Sequence, residues 1–384
     1  MKRRLGRHDN VVVPAAPPLS TRSPSADGAH TGRPTAKEIR GLDLHKRESP
    51  LSIKADDGTI TDRRIATSRD RFTAVFGARP PARILLEAST EREWVARHLE
   101  SLGHEVVVAD PNDEPMYANR SRRTKTDTRD ARTLMDGRAT GAWRPACRVS
   151  EARRHVRAEL AVRDALVRTR TRSIALAKAL VRRDGLRVPT SASVWVPTRI
   201  AELDLSLTVT TELAPLFAVF APLNAQIAVA DARIAACTKE DPIATRLTTA
   251  PGVGPVTASA FVATVDDITR FRTAHDLEAY LGLVLSERRS GEQRQLGPIT
   301  KAGNGRMRWW LVEAAWTILR STSPPTLARR TWTRTIAQRR GTRIAVVALA
   351  RRVAGILYAM WRNDLAYDAH RIRPLPRAAY QRAG

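Results

Sequence analysis

The chain has 384 residues and a formal net charge of +26, from 65 lysines and arginines against 39 acidic residues. This cationic excess predicts a polyanionic partner, because each neutralised phosphate releases counterions and adds affinity that does not depend on sequence. The two cysteines argue against a disulfide framework or a cysteine metal centre. The longest apolar run, residues 213–229, is interrupted by Pro222, Asn224 and Gln226; it predicts a buried helix, and no membrane partner is expected.

Residues 1–37 and 371–384 lack periodicity and predict disordered basic tails. Between the first tail and residue 148, short apolar runs alternate with amphipathic segments. The predicted order is three strands, a helix, a strand, a helix and a strand, followed by a helix that opens near Asp127: 39–45, 51–55, 59–66, 69–76, 83–87, 91–102 and 104–109. Three antiparallel strands followed by alternating helices and strands predict an α/β ribonuclease H-like fold for residues 38–148.

Four acidic residues in this region form a predicted metal site. Asp43 is placed within the first apolar strand and Glu87 at the end of another. Asp127 and Asp130 are three apart, so on a helix they share one face. Carboxylates are the ligands that Mg²⁺ takes together with phosphate oxygens. Each acid alone could be structural, and Asp127 could be a helix cap.

Residues 149–242 predict a helical, coiled-coil region. A long charged helix is predicted at 151–184 and a second helix at 211–239. The first helix repeats apolar residues every seven positions, at Leu160, Val167, Ile174 and Val181. This spacing fits equally well an ordinary hairpin of two helices in one chain and a coiled coil between subunits.

Residues 243–370 predict a mainly helical domain. A Pro-Gly-Val-Gly turn containing Gly252 and Gly254 precedes an apolar helix and resembles a helix-hairpin-helix motif, whose glycines and helix amides hold a phosphate. A simple helix-breaking turn is the alternative. The last helix, 343–362, is predicted to bury one apolar face and to carry arginines outside.

Ser290 lies in a predicted polar loop before Gly291, flanked by Arg289 and Arg294. This setting suits a hydroxyl nucleophile that attacks a phosphate, although serine needs an activating base or metal and no histidine lies nearby in the sequence. A loop serine alone is a weak signal. A basic segment with tryptophans follows, and four of its side chains are predicted to hold phosphates: Lys301, Asn304, Arg306 and Arg308.

These segments together resemble a known family. GLDLHK, LLEAS, KTDTRDAR, APGVGPVTA, RFRTAHDLEAYLGL, RSGEQRQLG, ITKAGNGRMR and AYDAHR occur in one order within residues 38–370. They resemble the DEDD transposases of the insertion-sequence 110 family. The resemblance implies a RuvC-like N-terminal domain, a coiled-coil insertion and a C-terminal transposase domain. It assigns Mg²⁺ binding to the acidic tetrad (Asp43, Glu87, Asp127, Asp130) and a covalent link to DNA to Ser290.

The resemblance also implies partners: DNA at the element ends and at the target, a structured bridge RNA, and further copies of the chain in a homodimer or homotetramer. The tetrad and the serine of one active site would then come from different subunits. The expected location is the bacterial cytoplasm, at the nucleoid. Two other classes of protein stay open: a RuvC-like endonuclease in which water attacks, and an inactivated protein that only binds nucleic acid.

Overall fold

The computed structural model describes residues 39–54, 59–87, 89–109, 146, 148–290 and 293–369. The chain divides into two compact units, Met1–Arg148 and Val149–Gly384. The predicted ligands Asp127 and Asp130 lie outside the described residues, as do both predicted tails.

In its described residues, the first unit contains a five-stranded sheet with two helices. Its elements are β1 (Ile39–Leu42), β2 (Glu48–Lys54), β3 (Ile60–Ala66), α1 (Arg69–Phe76), β4 (Arg83–Glu87), α2 (Arg92–Ser101) and β5 (Glu105–Ala109). The strand order is β3-β2-β1-β4-β5. The pairs β3–β2 and β2–β1 are antiparallel, whereas β1–β4 and β4–β5 are parallel. This arrangement confirms the predicted ribonuclease H-like fold.

Local sequence signals explain how the helices cover this sheet. Ser68 caps α1 by accepting a hydrogen bond from the Arg71 backbone N–H, and Phe72 and Phe76 are fully buried. The buried His104 is held at both ring nitrogens: Nδ1 accepts from the Ala82 backbone N–H at 3.1 Å, and Nε2 lies 3.1 Å from the Phe76 carbonyl. Because a carbonyl only accepts, the imidazole carries its proton on Nε2.

The predicted limits of β1 and β2 are wrong. The apolar run predicted a strand to His45, but pairing ends at Leu42, opposite Leu51, and Asp43 follows the strand instead of lying within it. The backbone N–H of Asp43 still donates to the Pro50 carbonyl at 3.1 Å. After this bond the chain turns, so β2 begins at Glu48, earlier than predicted.

The second unit is mainly helical. Its elements are α3 (Glu151–Arg183), α4 (Val196–Ala201), α5 (Leu207–Glu240), α6 (Pro242–Leu247), α7 (Pro255–Val265), α8 (Ala274–Tyr280), β6 (Leu285–Ser290), β7 (Gln293–Ile299), α9 (Gly305–Arg320), α10 (Leu327–Arg340) and α11 (Thr342–Arg362). Its largest core packs α7, α9 and α11 together, with Phe261, Leu311 and Leu357 fully buried. The predicted last helix and its buried face are confirmed.

Helices α3 and α5 form an antiparallel hairpin within one chain. One ion pair, Arg163–Asp231, joins the first half of α3 to the second half of α5, and another, Arg183–Glu212, joins the end of α3 to the start of α5. Three of the four heptad residues are buried and Val167 is half-buried. The hairpin within one chain is therefore confirmed, while a coiled coil between subunits stays a prediction.

The prediction that the apolar run 213–229 forms a buried helix is only half right. α5 buries Leu213, Phe220 and Ile227 against its neighbours, but Val219 and Val229 on its outer side are about half exposed. Helix α3, the other helix of the hairpin, packs against one side of α5 and leaves its outer side uncovered within the described residues. By length and composition, α5 and α11 would each be long and apolar enough to cross a membrane, although half of the most apolar window of α11 is buried in the core.

Candidate active site and nucleic-acid interface

Asp43 is a buried carboxylate at the end of a central strand. The residue is 4% exposed, and its Oδ2 lies 3.3 Å from His45 Nε2. The turn that holds His45 is fixed by a Ser49–Thr67 hydroxyl pair at 2.7 Å and by the Thr67 hydroxyl, which donates to the His45 carbonyl at 2.8 Å. A carboxylate removed from water needs a positive partner, so this position favours a cation.

Glu87 lies at the neighbouring position of the same sheet edge. In the parallel β1–β4 pair Leu42 is opposite Leu86, so the next residues in register are Asp43 and Glu87. Adjacent strands are about 4.8 Å apart. The carboxyl ends of parallel strands are where open α/β sheets bind ligands.

Two of the four predicted metal ligands are thus brought to one sheet edge. Within the described part of the chain, no cluster of three or more histidine, cysteine or acidic residues forms a metal centre. The chain continues from the same edge, after β5, into the segment that contains Asp127 and Asp130. The buried charge of Asp43 and the chemistry of the donor set fit Mg²⁺.

Ser290 is the last residue of β6, in a β-hairpin, and the predicted polar loop is wrong. β6 and β7 pair antiparallel, with Ser290 opposite Gln293 and Arg289 opposite Arg294. Only Gly291 and Glu292 join the strands, and they lie outside the described residues. Leu285, Glu287, Gln295 and Pro298 of this ribbon are exposed, so no apolar alternation marks it as a strand.

The Pro-Gly-Val-Gly turn gives its two glycines different roles. Gly252 has φ +78°, and an added Cβ would lie 2.6 Å from the Ala314 carbonyl oxygen of α9, so this glycine allows close packing. Gly254 caps α7 with extended backbone, and an added Cβ would meet no atom within 4 Å. The first turn of α7 has no side-chain cap.

A cleft of about 960 Å³ opens beside this turn. Its lining includes residues 248–254 and four hydroxyl residues from the second half of α9 onwards: Thr317, Ser321, Ser323 and Thr326. Hydroxyls and backbone amides are groups that contact nucleic-acid phosphates. The cleft therefore provides polar groups beside the Pro-Gly-Val-Gly turn that could contact a phosphate bound there.

The basic segment after β7 is mostly engaged inside the fold. The Asn304 side chain caps α9 by accepting from the Arg306 and Met307 backbone N–H groups. Arg308 donates to the carbonyls of Leu281 and Ala302. Lys301 is exposed and has a left-handed backbone, with φ +57°. Of the predicted phosphate contacts in this segment, Lys301 is the one whose side chain faces solvent most clearly.

Arg306 has an acidic partner that sequence reasoning missed. Its Nη2 lies 2.9 Å from Oδ2 of Asp164, a buried acid of α3 that also pairs with Arg168 at 2.9 Å. The sequence signal for this partner was the position of Asp164, four residues after Leu160 and therefore on the apolar side of the helix. His45 was also missed as a partner, although it lies two residues after Asp43.

Both parts of the chain match known transposases. Residues 244–330 match the family described as "Transposase IS116/IS110/IS902 family", and residues 40–183 match the DEDD transposase family of the IS110 type. A "Probable family 20 transposase" of Pseudomonas aeruginosa is 30% identical over 340 residues, which is 85% of this chain and 97% of the relative. The "Transposase for insertion sequence element IS1111A" of Coxiella burnetii is 26% identical, over 86% of this chain and 91% of the relative.

Proposed function

We propose how this chain, which belongs to the IS116/IS110/IS902 family of transposases, cuts and rejoins the DNA of its insertion element. An acidic tetrad holds Mg²⁺ and Ser290 is the nucleophile. The observation that supports this proposal is the β1–β4 register, in which Asp43 and Glu87 follow the paired residues Leu42 and Leu86 at the carboxyl edge of the sheet. Tetrad and serine belong to different compact units.

The tetrad consists of Asp43, Glu87, Asp127 and Asp130. When bound there, Mg²⁺ would polarise the scissile phosphate and neutralise its charge. Asp43 contributes a buried carboxylate, which His45 contacts from the adjacent turn.

The serine step conserves bond energy. Ser290 Oγ attacks phosphorus and forms a serine–phosphate ester, while one deoxyribose oxygen leaves and takes the proton that serine loses. In the second step a hydroxyl of another strand attacks the ester and restores Ser290. One phosphate ester replaces another at each step, so the exchange is close to neutral in free energy and uses no nucleotide.

The hairpin register supports contact with a phosphate at this place. Arg289 and Arg294 occupy directly opposed positions next to Ser290. Like charges opposite each other in an antiparallel pair are destabilising. A phosphate bound at the hairpin would remove that cost, which favours a nucleic-acid ligand over a purely structural hairpin.

The enzyme is guided, in this proposal, by a structured bridge RNA that pairs with donor and target DNA, in the bacterial cytoplasm at the nucleoid. The net charge of +26 is compatible with binding two nucleic acids. Sequencing of the RNA that co-purifies with the protein tests this step. Exchange of the pairing segments of that RNA should redirect insertion, and unchanged target sites would refute the guidance.

The active enzyme is a homodimer or homotetramer with composite sites. The exposed apolar side of α5, which includes Val219 and Val229, supports contact with another copy. Ser290→Ala chains mixed with Asp43→Asn chains test the composite site. Each variant is inactive alone, and the mixture regains part of the activity only if one subunit supplies the tetrad and another the serine. A mixture without activity means that each subunit contains a whole site.

Covalent trapping tests the nucleophile. Protein, Mg²⁺ and element-end DNA are incubated and denatured, and the DNA-linked protein band is measured. Wild-type protein should give the band and Ser290→Ala should not. Ser286→Ala is the matched control on the same strand, where the Ser286 hydroxyl donates to the Pro298 carbonyl. Recombination by Ser290→Ala would refute the assignment.

The same assay separates the rival functions. A RuvC-like endonuclease that uses water would cut DNA without a linked band, and an inactivated binding protein would neither cut nor link. Asp43→Asn should lose cleavage but retain nucleic-acid binding, and Asp70→Asn, an exposed acid of α1, should leave cleavage unchanged. Full activity of Asp43→Asn would remove the tetrad assignment.

A further inference from the structure

The C-terminal helices contain a charge pattern that the proposed active site does not use. From Ala314 to Asn363 the sequence has ten arginines and no aspartate, glutamate or lysine. Genome composition can enrich arginine, but it does not remove acidic residues. A segment this one-sided raises the local positive potential, since no neighbour in the sequence offsets it.

Seven of these ten arginines fall into two groups that differ in their surroundings. The first group is held inside the unit: Arg329 stacks over Tyr367, Arg352 stacks over Trp332 at 5.0 Å, and Arg351 pairs with Glu278 at 2.6 Å. These guanidinium groups contribute to packing. Packing within the unit therefore accounts for arginine at these three positions, and no bound ligand is needed to explain them.

The second group is exposed at the end of α10 and the start of α11. We call this surface the arginine face, and it consists of Arg334, Gln338, Arg339, Arg340, Thr342 and Arg343. Within the described residues, Arg334, Arg340 and Arg343 make no hydrogen bond, ion pair or ring contact. Arg343 also lies in the first turn of α11, where a cation opposes the helix dipole. Folding alone therefore does not account for these three charges.

We propose that the arginine face binds the phosphate backbone of duplex DNA. It is a contact surface additional to the serine hairpin and the Pro-Gly-Val-Gly turn. Guanidinium, amide and hydroxyl groups are the side chains that contact phosphates and sugars. The arginine face carries no aromatic side chain, whereas recognition of single strands and RNA loops relies on aromatic stacking. The surface thus fits a regular duplex. This proposal rests on the family's activity on DNA, but it does not depend on Ser290 as the nucleophile.

The test is the salt dependence of binding. Each duplex phosphate contact adds about 0.9 to the slope of log Kobs against log salt. The triple variant Arg334→Gln, Arg340→Gln and Arg343→Gln should therefore reduce that slope by about 2.7 for a random-sequence DNA duplex. The loss should be the same for every duplex sequence, because phosphate contacts do not read bases.

A charge-matched control removes three exposed arginines that have acidic partners: Arg183→Gln, Arg199→Gln and Arg272→Gln. The slope measured for this control should change by less than about 0.9, which is the contribution of a single phosphate contact. Equal slopes for the two triple variants would overturn the proposal, because only net charge would then matter. A change for an RNA hairpin probe without a change for duplex DNA would overturn it as well.

The result is independent of the serine mechanism. At low salt and saturating protein, the Arg334/Arg340/Arg343 variant should still form the Ser290–DNA link. If wild-type protein gives no link but the slopes differ as expected, the serine proposal fails and the arginine face stands. If the link forms and the slopes are equal, the serine proposal stands and the arginine face fails.

Discussion

Gly254 offers a substitution with opposite effects on stability and on DNA binding. Its backbone, with φ −91° and ψ −179°, is open to any residue, and an added Cβ meets no atom within 4 Å. In Gly254→Asp the carboxylate can accept from the first free N–H groups of α7, which have no side-chain cap. Capping and the helix dipole together should stabilise the unit by about 0.5–1.5 kcal/mol.

The same carboxylate occupies the place where the helix amides would hold a phosphate. Loss of one charge-assisted hydrogen bond costs about 1.5–3 kcal/mol, which is roughly a 10- to 150-fold weaker affinity. Thermal unfolding should therefore show a higher midpoint, by about 2–4 °C per kcal/mol, while fluorescence anisotropy shows weaker binding to duplex DNA.

A second glycine controls for damage to the turn. Gly252→Ala forces a left-handed backbone on alanine and brings its Cβ against the Ala314 carbonyl, so stability should fall by about 2–4 kcal/mol. Binding by the fraction that stays folded should not change. If Gly254→Asp is more stable and binds DNA as well as wild-type protein, the turn is only a structural connection and its phosphate-binding role is refuted.

Three further changes test the second unit. Gly303→Ala, at φ +67° with an added Cβ 2.1 Å from a backbone carbonyl, should cost about 3 kcal/mol or more in chemical denaturation. In Asp164→Asn the ion pair with Arg306 is lost, which frees the Arg306 guanidinium to contact a phosphate. The affinity for DNA should then rise, and the slope of log Kobs against log salt should steepen by about 0.9. Weaker binding would show that Arg306 does not contact phosphate. Hydrogen bonds from the Thr269 hydroxyl and then from the Thr269 backbone N–H lower the pKa of Asp267. A folded pKa below the unfolded one stabilises the fold at neutral pH, so Asp267→Asn should have a lower free energy of unfolding than wild type there. The difference should shrink as pH falls from about 4 through the lowered folded pKa.

The elements with strong local signals were predicted from the sequence. The limits of α1 and β4 agree with the prediction, because Ser68 caps the helix and an apolar run bounded by arginine and glutamate forms the strand. The antiparallel helical hairpin was predicted as one of two alternatives, from the sevenfold spacing on α3. These features depend on contacts close in sequence or on regular burial.

The β6–β7 hairpin could not be predicted in this way. Within the described residues its strands pair with no other strand, and Ile299 at the end of β7 is the one position of the ribbon that packs against the helical core, so no regular alternation is imposed. The sequence therefore indicated a polar loop around Ser290. The end of β1 was missed for a related reason: the apolar run continues to Leu44, which is buried, but ladder pairing stops at Leu42.

Basic residues show most clearly what spacing alone cannot decide. A guanidinium has five donors, and they can be used by carbonyls of the fold or by phosphates of a ligand. Arg308 donates to the carbonyl of Ala302 nearby in the chain and to that of Leu281, which follows α8, and nothing in the local sequence reveals the Leu281 acceptor. Arg340 has the same chemistry but no acceptor among the described residues. In a chain with a charge of +26, the surface for DNA is therefore better located by arginines that lack an internal acceptor than by the density of arginines in the sequence.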